Sequence, residues 1–192
     1  MFHAESNGKG KTLSSVRFLI NYKSKYPDTR IITNVNSFNI YKDTLHYSNF
    51  TDIMKYCVEN YHKPIGRREN IIIFYDEIFT LLEKAKSLDK DILSFLSQLR
   101  KRQIILITTA QEWLEINITF RRYIRYQIDC NMISLPLLKT AIVINCINDG
   151  DLITWDNNIN EYVAPRVQTN IFKGNKSIIE AYDTFETIST HN

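Results

Sequence analysis

Apolar and polar positions alternate along this chain with two different periods. Leu13, Val16, Leu19 and Ile20, with Phe18 and Tyr22 between them, recur at helical spacing and predict an amphipathic helix over 12–25, ended by Pro27 and Asp28. The run R-I-I-T-N-V at 30–35 predicts a short strand, and the polar and aromatic stretch 37–47 a loop. Phe50, Ile53, Met54, Cys57, Val58 and Tyr61 mark a second helix, broken over 64–70. Residues 71–75 are continuously apolar or aromatic and run into Asp76 and Glu77, the pattern of a strand buried on both faces of a parallel sheet. Asp89 suits the cap of a helix carrying Ile92, Phe95, Leu96 and Leu99. That helix closes on Arg100, Lys101 and Arg102, where cations complement its negative end. A second buried strand follows at 104–109, ahead of Ala110 and Gln111.

Strands alternating with helices imply βαβ units and an α/β fold around a mostly parallel sheet. The last third changes character. Strands are expected at 123–130 and 141–147, then a tight turn at Asn148, Asp149, Gly150 and Asp151 into a β-hairpin arm at 152–155. A closing helix is expected at 177–187. No repeat or linker interrupts the chain, so one domain over 1–192 is expected, with a core over about 1–130 and a β-rich extension over about 131–192.

Chemistry enters at Glu5-Ser6-Asn7-Gly8-Lys9-Gly10-Lys11-Thr12, which reads as a phosphate-binding loop opening a helix. Gly10 permits a turn that a Cβ would block, so that neighbouring N–H groups point at phosphate oxygens. Lys11 supplies a charge for the β- and γ-phosphates, Thr12 a hydroxyl for Mg²⁺, and the helix its positive dipole end. The nucleotide-binding set is therefore Asn7, Gly8, Lys9, Gly10, Lys11, Thr12 and Leu13. Glu5 stands where the usual pattern has its first glycine, and Gly8 is placed to take over part of the turn. Only Met1, Phe2 and Ala4 are available for the strand that precedes such a loop: either that strand is clipped or the true start lies upstream.

Asp76, at the end of an apolar strand, is placed to hold Mg²⁺ with Thr12, and Glu77 to orient and deprotonate an attacking water. Gln111, just past the next strand, can report on the γ-phosphate. All of these follow strands, and ligands of open parallel sheets sit outside the strands' carboxyl ends. Arg100, Arg102, Arg121, Arg122 and Arg125 lie in two short runs. One of them, with Arg122 the candidate, can serve a neighbouring subunit's γ-phosphate, and others can meet DNA phosphates. A solvated basic face is the simpler account of any single one. His3, His46, His62 and His191 have no ligand or triad spacing, and Trp113 and Trp155 read as packing residues.

Composition adds bounds. The 192 residues are 44% hydrophobic and 12% aromatic, a globular composition, and the net charge of +3 permits a nucleic-acid partner without arguing for one. No apolar run reaches membrane-spanning length and no signal peptide is visible. Cys57, Cys130 and Cys146 lack metal spacing and read as free thiols.

The loop at 8–12, the R-I-I-T-N-V strand, the I-I-I-F-Y-D-E segment and L-R-K-R-Q-I-I-L-I-T-T-A-Q together resemble the FtsK/HerA-type P-loop ATPases of viruses and mobile elements. Within that group the chain is most similar to viral genome-packaging ATPases and to the zonular-occludens-toxin-like assembly ATPases of filamentous phages. The resemblance covers about 4–128, with a weaker likeness at 181–186. It implies a RecA-like core, ATP with Mg²⁺ at subunit interfaces, a homo-oligomeric ring such as a hexamer, and DNA moved through its centre. It further implies capsid or assembly proteins as partners and a place in the host cytoplasm or on the virion. The absence of a membrane helix tilts the reading toward genome packaging over phage export. Outside the motor class, a small-molecule or nucleotide kinase and a non-hydrolysing nucleotide-binding assembly protein remain alternatives.

Overall fold

The computed structural model describes residues 1–4, 8–60, 71–78, 88–111, 113, 116–135, 140–152, 154–158 and 160–174. Among these residues, ten strands and four α-helices alternate in the first two thirds and give way mainly to strands: β1 (Phe2–His3), α1 (Lys11–Lys25), β2 (Arg30–Thr33), β3 (Leu45–His46), α2 (Phe50–Asn60), β4 (Ile71–Tyr75), α3 (Lys90–Arg102), β5 (Ile104–Ala110), α4 (Ile118–Arg121), β6 (Tyr126–Leu135), β7 (Thr140–Asp149), β8 (Thr154–Asp156), β9 (Glu161–Val163) and β10 (Arg166–Lys173). Eight of these form one sheet in the order β10-β7-β6-β1-β5-β4-β2-β3. From β6 to β3 every pairing is parallel, while β7 and β10 add antiparallel strands at the far side. The predicted α/β class is therefore the observed one, and past residue 130 the end of β6, β7 and β10 continue the same sheet while β8 and β9 pair apart from it.

The two periods of the sequence set the layers. In β4, Ile71, Ile73 and Tyr75 face one core with Phe50, Ile53 and Cys57 of α2 and Phe95 and Leu96 of α3. Ile72 and Phe74 face the other, with Leu13, Val16 and Leu19 of α1 and with Val143 and Phe172 of the antiparallel strands. Both faces of β4 are thus covered, as its unbroken apolar run requires. Each such buried Ile or Phe contributes roughly 1.5–3 kcal/mol. Asp89 caps α3 by accepting from the Asp91 N–H at 2.7 Å, and Gln103 ends that helix at φ 55.

Several expectations are corrected. Residues 45–46, inside the expected loop, form the edge strand β3. The strand expected at 123–130 starts at Tyr126 and runs to Leu135, because residues 122–125 form the turn after α4. The arm at 152–155 does not fold back on β7: Asp149 opens a one-turn 3-10 helix (Gly150–Leu152), and β8 pairs with β9 in a separate hairpin. The partners of β7 are instead β6 and β10. Gly150 cannot carry a side chain, since a Cβ there would stand 2.5 Å from the Ile124 carbonyl oxygen. Trp113 packs against the core as expected, whereas Trp155 is half exposed. The expected helix at 177–187 and the break at 64–70 lie outside the described residues. The three cysteines are free thiols, Cys57 and Cys130 buried.

Candidate nucleotide site

The stub read at the start of the chain is a strand at the centre of the sheet. Phe2 and His3 pair with Thr109 and Ala110 of β5 and with Ile128 and Asp129 of β6. The phosphate loop therefore leaves from mid-sheet, at the carboxyl ends of its parallel neighbours. β5 lies between β1 and β4, so the Thr109 side chain can reach the acidic pair that ends β4.

Within the loop, Gly8 has φ 74 and Gly10 φ 86, both in the left-handed region that a side chain disfavours. Gly10 is also close-packed, since a Cβ would meet Val143 Cγ1 at 3.2 Å. Gly10 is the N-cap of α1 and, having no side chain, leaves the helix start uncapped by its own residue. A fifteen-residue helix thus presents the positive end of its dipole at the loop. Lys9 and Lys11 are half-buried and Gly8 is exposed. Leu13 points into the core, so its backbone alone can serve a phosphate. Asn7 and Glu5 lie outside the described residues.

Asp76 converges on this helix start. The Thr12 hydroxyl donates to Asp76 Oδ2 at 3.2 Å and reaches Oδ1 at 3.4 Å. Adjacent oxygens of an octahedral Mg²⁺ shell, each about 2.0–2.1 Å from the ion, stand about 3 Å apart, so Thr12 and Asp76 have the chemistry and spacing to share one ion. Burial pushes the Asp76 carboxyl up to about 6, aided by the Glu77 charge and opposed by hydrogen bonds from Thr109 and Thr12 and the charge of Lys11. Burial likewise lowers the Lys11 ammonium, while Asp76, Cys130 and Glu77 pull it back up. A divalent cation beside Asp76 and a polyphosphate beside Lys11 would add to the opposite charge that each group already meets in the other.

Two residues that the sequence reading did not assign hold the acidic pair. Asn34, just past β2, clamps the Asp76 backbone: its Nδ2 donates to Asp76 O at 3.0 Å and its Oδ1 accepts from Asp76 N at 2.8 Å. The Thr109 hydroxyl donates to Asp76 Oδ1 and accepts from the Glu77 N–H at 2.8 Å. Glu77 itself is exposed on the rim at φ 54, an unusual conformation for a residue with a side chain. The Thr109 bond helps hold it there. The only sequence sign of these roles was polar residues ending β-rich runs, T-N at 33–34 and T-T at 108–109.

Replacing Asn34 with alanine is expected to destabilise the fold by about 1–3 kcal/mol, because the buried Asp76 N–H and C=O lose their partners. Urea denaturation checks this; an unchanged midpoint would contradict the clamp. Asp76 also makes stability pH-dependent. Its folded pKa of about 6 exceeds the ordinary carboxyl value of 3.8, so the folded state binds the extra proton between those values. Stability of the nucleotide-free protein should therefore fall as pH rises from about 4 to about 6 through this group. Thermal melts across that range should lose this component in Asp76→Asn; identical slopes in both proteins would contradict it.

The other candidates sort by rim. Gln111 is exposed directly after β5, on the same rim as the loop. Arg100 and Arg102 end α3 just before β5 begins, and Arg125 precedes the first residue of β6, so all three lie at the opposite, amino-end rim. Arg102 bonds Gln98 Oε1 through Nε at 3.1 Å and Nη2 at 2.8 Å. Arg121 bonds the Ile116 carbonyl at 3.0 Å and lies 5.7 Å from the Trp113 ring. Arg122 is exposed beyond α4. None of the arginines has a recorded bond to the Thr12–Asp76 cluster among the described residues. His3, given no role from sequence, is buried at the site rim, with its pKa lowered to about 4 chiefly by burial.

A helix-opening glycine loop after a central strand, with a buried aspartate two strands away joined to the loop threonine, defines the fold as that of the P-loop ATPases. Solved structures agree. The N-terminal domain of zonular occludens toxin from Neisseria meningitidis is similar at a TM-score of 0.58 and 15% identity, covering 95% of this chain and 97% of that one. The genome packaging NTPase of Sulfolobus turreted icosahedral virus 2, solved with AMPPCP, is similar at 0.53 and 10% identity, covering 86% and 96%. The ATPase 2 and 3 segment of EssC from Geobacillus thermodenitrificans matches at 0.50 and 14% identity over 67% of this chain and 31% of its own. The first two are the kinds of protein that the motifs resemble. No protein-family model matches the chain, and no curated protein sequence matches it.

Proposed function

We propose that the chain is a Mg²⁺-dependent ATPase that couples ATP hydrolysis to DNA translocation, in the packaging of a viral genome. The observation that carries this reading is the convergence of Thr12 on Asp76 at the start of α1, beside Lys11 and Glu77. Bound Mg²⁺ would supply charge neutralisation at the phosphates. The chain's own residues do the rest. Backbone N–H groups at 8–12 and the Lys11 ammonium hold the phosphates. Thr12 and Asp76 take the metal, and Thr109 fixes the acidic pair. Glu77 orients a water and accepts its proton as that water attacks the γ-phosphorus. Gln111 senses the γ-phosphate from the same rim. An arginine, Arg122 being the first candidate, serves the site of the next subunit in a homo-oligomeric ring. DNA, capsid proteins, and a place in the host cytoplasm or on the virion belong to the same proposal.

A second reading, filamentous-phage assembly and export, is favoured by the near-complete overlap with the zonular occludens toxin domain. No helix among the described residues is long and apolar enough to cross a membrane. The test is phosphate release from MgATP with no DNA, with single-stranded DNA and with double-stranded DNA, beside a native mass measurement. DNA-stimulated release from an oligomer supports the packaging motor. ADP formed only with a small acceptor, the phosphoryl group passing to that acceptor with no free phosphate released, would make the protein a kinase, and co-purification with membranes or a coat protein would favour export.

A further inference from the structure

The antiparallel strands reach the phosphate loop through one face of α1. Gly10, Ser14 and Arg17 follow one another at spacings of four and three, which lines them up along one stripe of the helix. Each meets β7 or β10. A Cβ on Gly10 would stand 3.2 Å from Val143 Cγ1. The Ser14 hydroxyl donates to Asn145 Oδ1 at 2.9 Å. The Arg17 guanidinium lies 4.0 Å from the centre of the Phe172 ring. Val143 and Asn145 are two apart on β7 and so share a face, and Phe172 of β10 pairs with Val143.

The Ser14–Asn145 bond is the directional part of this contact. The two residues are 3% and 7% exposed, so water does not compete for the bond. The Cys130 thiol, opposite Asn145 on β6, also bonds the Ser14 side chain, and burial pushes that thiol up to about 12, so it stays neutral. Ser14 stands one turn into α1, and its own N–H donates to the Gly10 carbonyl at 2.9 Å. Ser15 Oγ donates to Lys11 O at 3.0 Å. The turn that carries Lys11 and Thr12 is thus tied to β7. The other buried stripe of α1, Leu13, Val16 and Leu19, packs with Ile72, Phe74 and Ile107 of the parallel strands. Apolar packing has no direction of its own. It holds the helix against the sheet but fixes rotation and axial shift less firmly than a buried hydrogen bond.

We infer that Asn145 is a positioning residue for the nucleotide site: through Ser14 it sets the rotation and height of the first turn of α1, and so the reach of Lys11 and Thr12 to phosphate and metal. The inference rests on nucleotide being held at this loop, as proposed above. It adds a role for the antiparallel strands, which lie outside the cluster of Thr12, Asp76 and Thr109. Coupling between two parts of a protein is reciprocal. A nucleotide that is bound more tightly because β7 holds the loop must in turn steady β7 and its neighbour β10.

The test separates positioning from stability, using calorimetric titration with Mg²⁺ and a non-hydrolysable ATP analogue beside thermal melts. Asn145→Leu leaves the Ser14 hydroxyl buried without its acceptor. It should lower the melting temperature and weaken analogue binding roughly tenfold, within the usual range for coupled sites. Ser14→Ala combined with Asn145→Leu removes both polar groups. That pair should bring the melting temperature back toward wild type while the affinity stays roughly tenfold weak. Amide exchange gives the reverse reading: the analogue, at saturation, should slow exchange along β7 and β10 in the wild type and much less in the double variant. Affinity that recovers together with the melting temperature would make the pair purely structural and overturn the inference. Wild-type affinity in Asn145→Leu, or equal protection of β7 and β10 in both proteins, would overturn it too. A wild-type protein that binds no analogue would remove the proposed function and this inference together, a result distinct from all of these.

Discussion

Lys11→Ala should lose nucleotide binding. The ammonium sits at the first turn of α1, partly stripped of water, with Asp76 and Glu77 holding its charge. Hydrogen bonds to charged groups are worth about 1.5–3 kcal/mol each, so removing a lysine shared by two phosphates should weaken ATP binding by roughly 100-fold or more. The fold should survive. Lys11 is the first residue of the helix, and the apolar face of α1 begins at Leu13. Calorimetric titration with a non-hydrolysable ATP analogue checks the affinity, and a thermal melt checks the fold. A folded variant with wild-type affinity would remove the loop from the nucleotide site.

Glu77→Gln should separate binding from turnover. Glutamine keeps the size of the side chain and leaves the Glu77 N–H bonded to Thr109, so the local backbone, including its left-handed φ, has no reason to change. What it loses is the ability to take a proton from water. The variant should bind MgATP normally and hydrolyse it about 100-fold more slowly or worse, the usual contribution of a general base. Single-turnover phosphate release measures this. An unchanged rate would take Glu77 out of that role.

Much of this was legible before the structure. The unbroken I-I-I-F-Y run required cover on both faces, and β4 has it from α1 on one side and from α2 and α3 on the other. The spacing of Leu13, Val16 and Leu19 gave the buried face of α1, and Asp89 capped α3 as read. The glycines of the loop adopt the positive φ values that their chemistry allows.

The missed features are those that local pattern cannot encode. β6 mixes exposed and half-buried positions around the buried Cys130 and carries Asp129, Asn131 and Ser134, so its second half does not read as a buried strand. β1 is two residues long, too short for any period to show, and only its pairings place it mid-sheet. Asn34 and Thr109 act on residues 42 and 32–33 positions away in sequence, contacts that exist only once β2, β4 and β5 are neighbours. The hairpin partner of β8 was misassigned because the N-D-G-D signal marks a real change of direction without specifying which strand lies beyond it.

One crystal structure with Mg²⁺ and a non-hydrolysable ATP analogue would test the central claim most directly. The expected result is a metal about 2.0–2.1 Å from Thr12 Oγ1, with Asp76 as a direct or water-linked ligand and the Lys11 ammonium between the β- and γ-phosphates. A nucleotide bound elsewhere, or a metal touching neither Thr12 nor the water shell of Asp76, would contradict it.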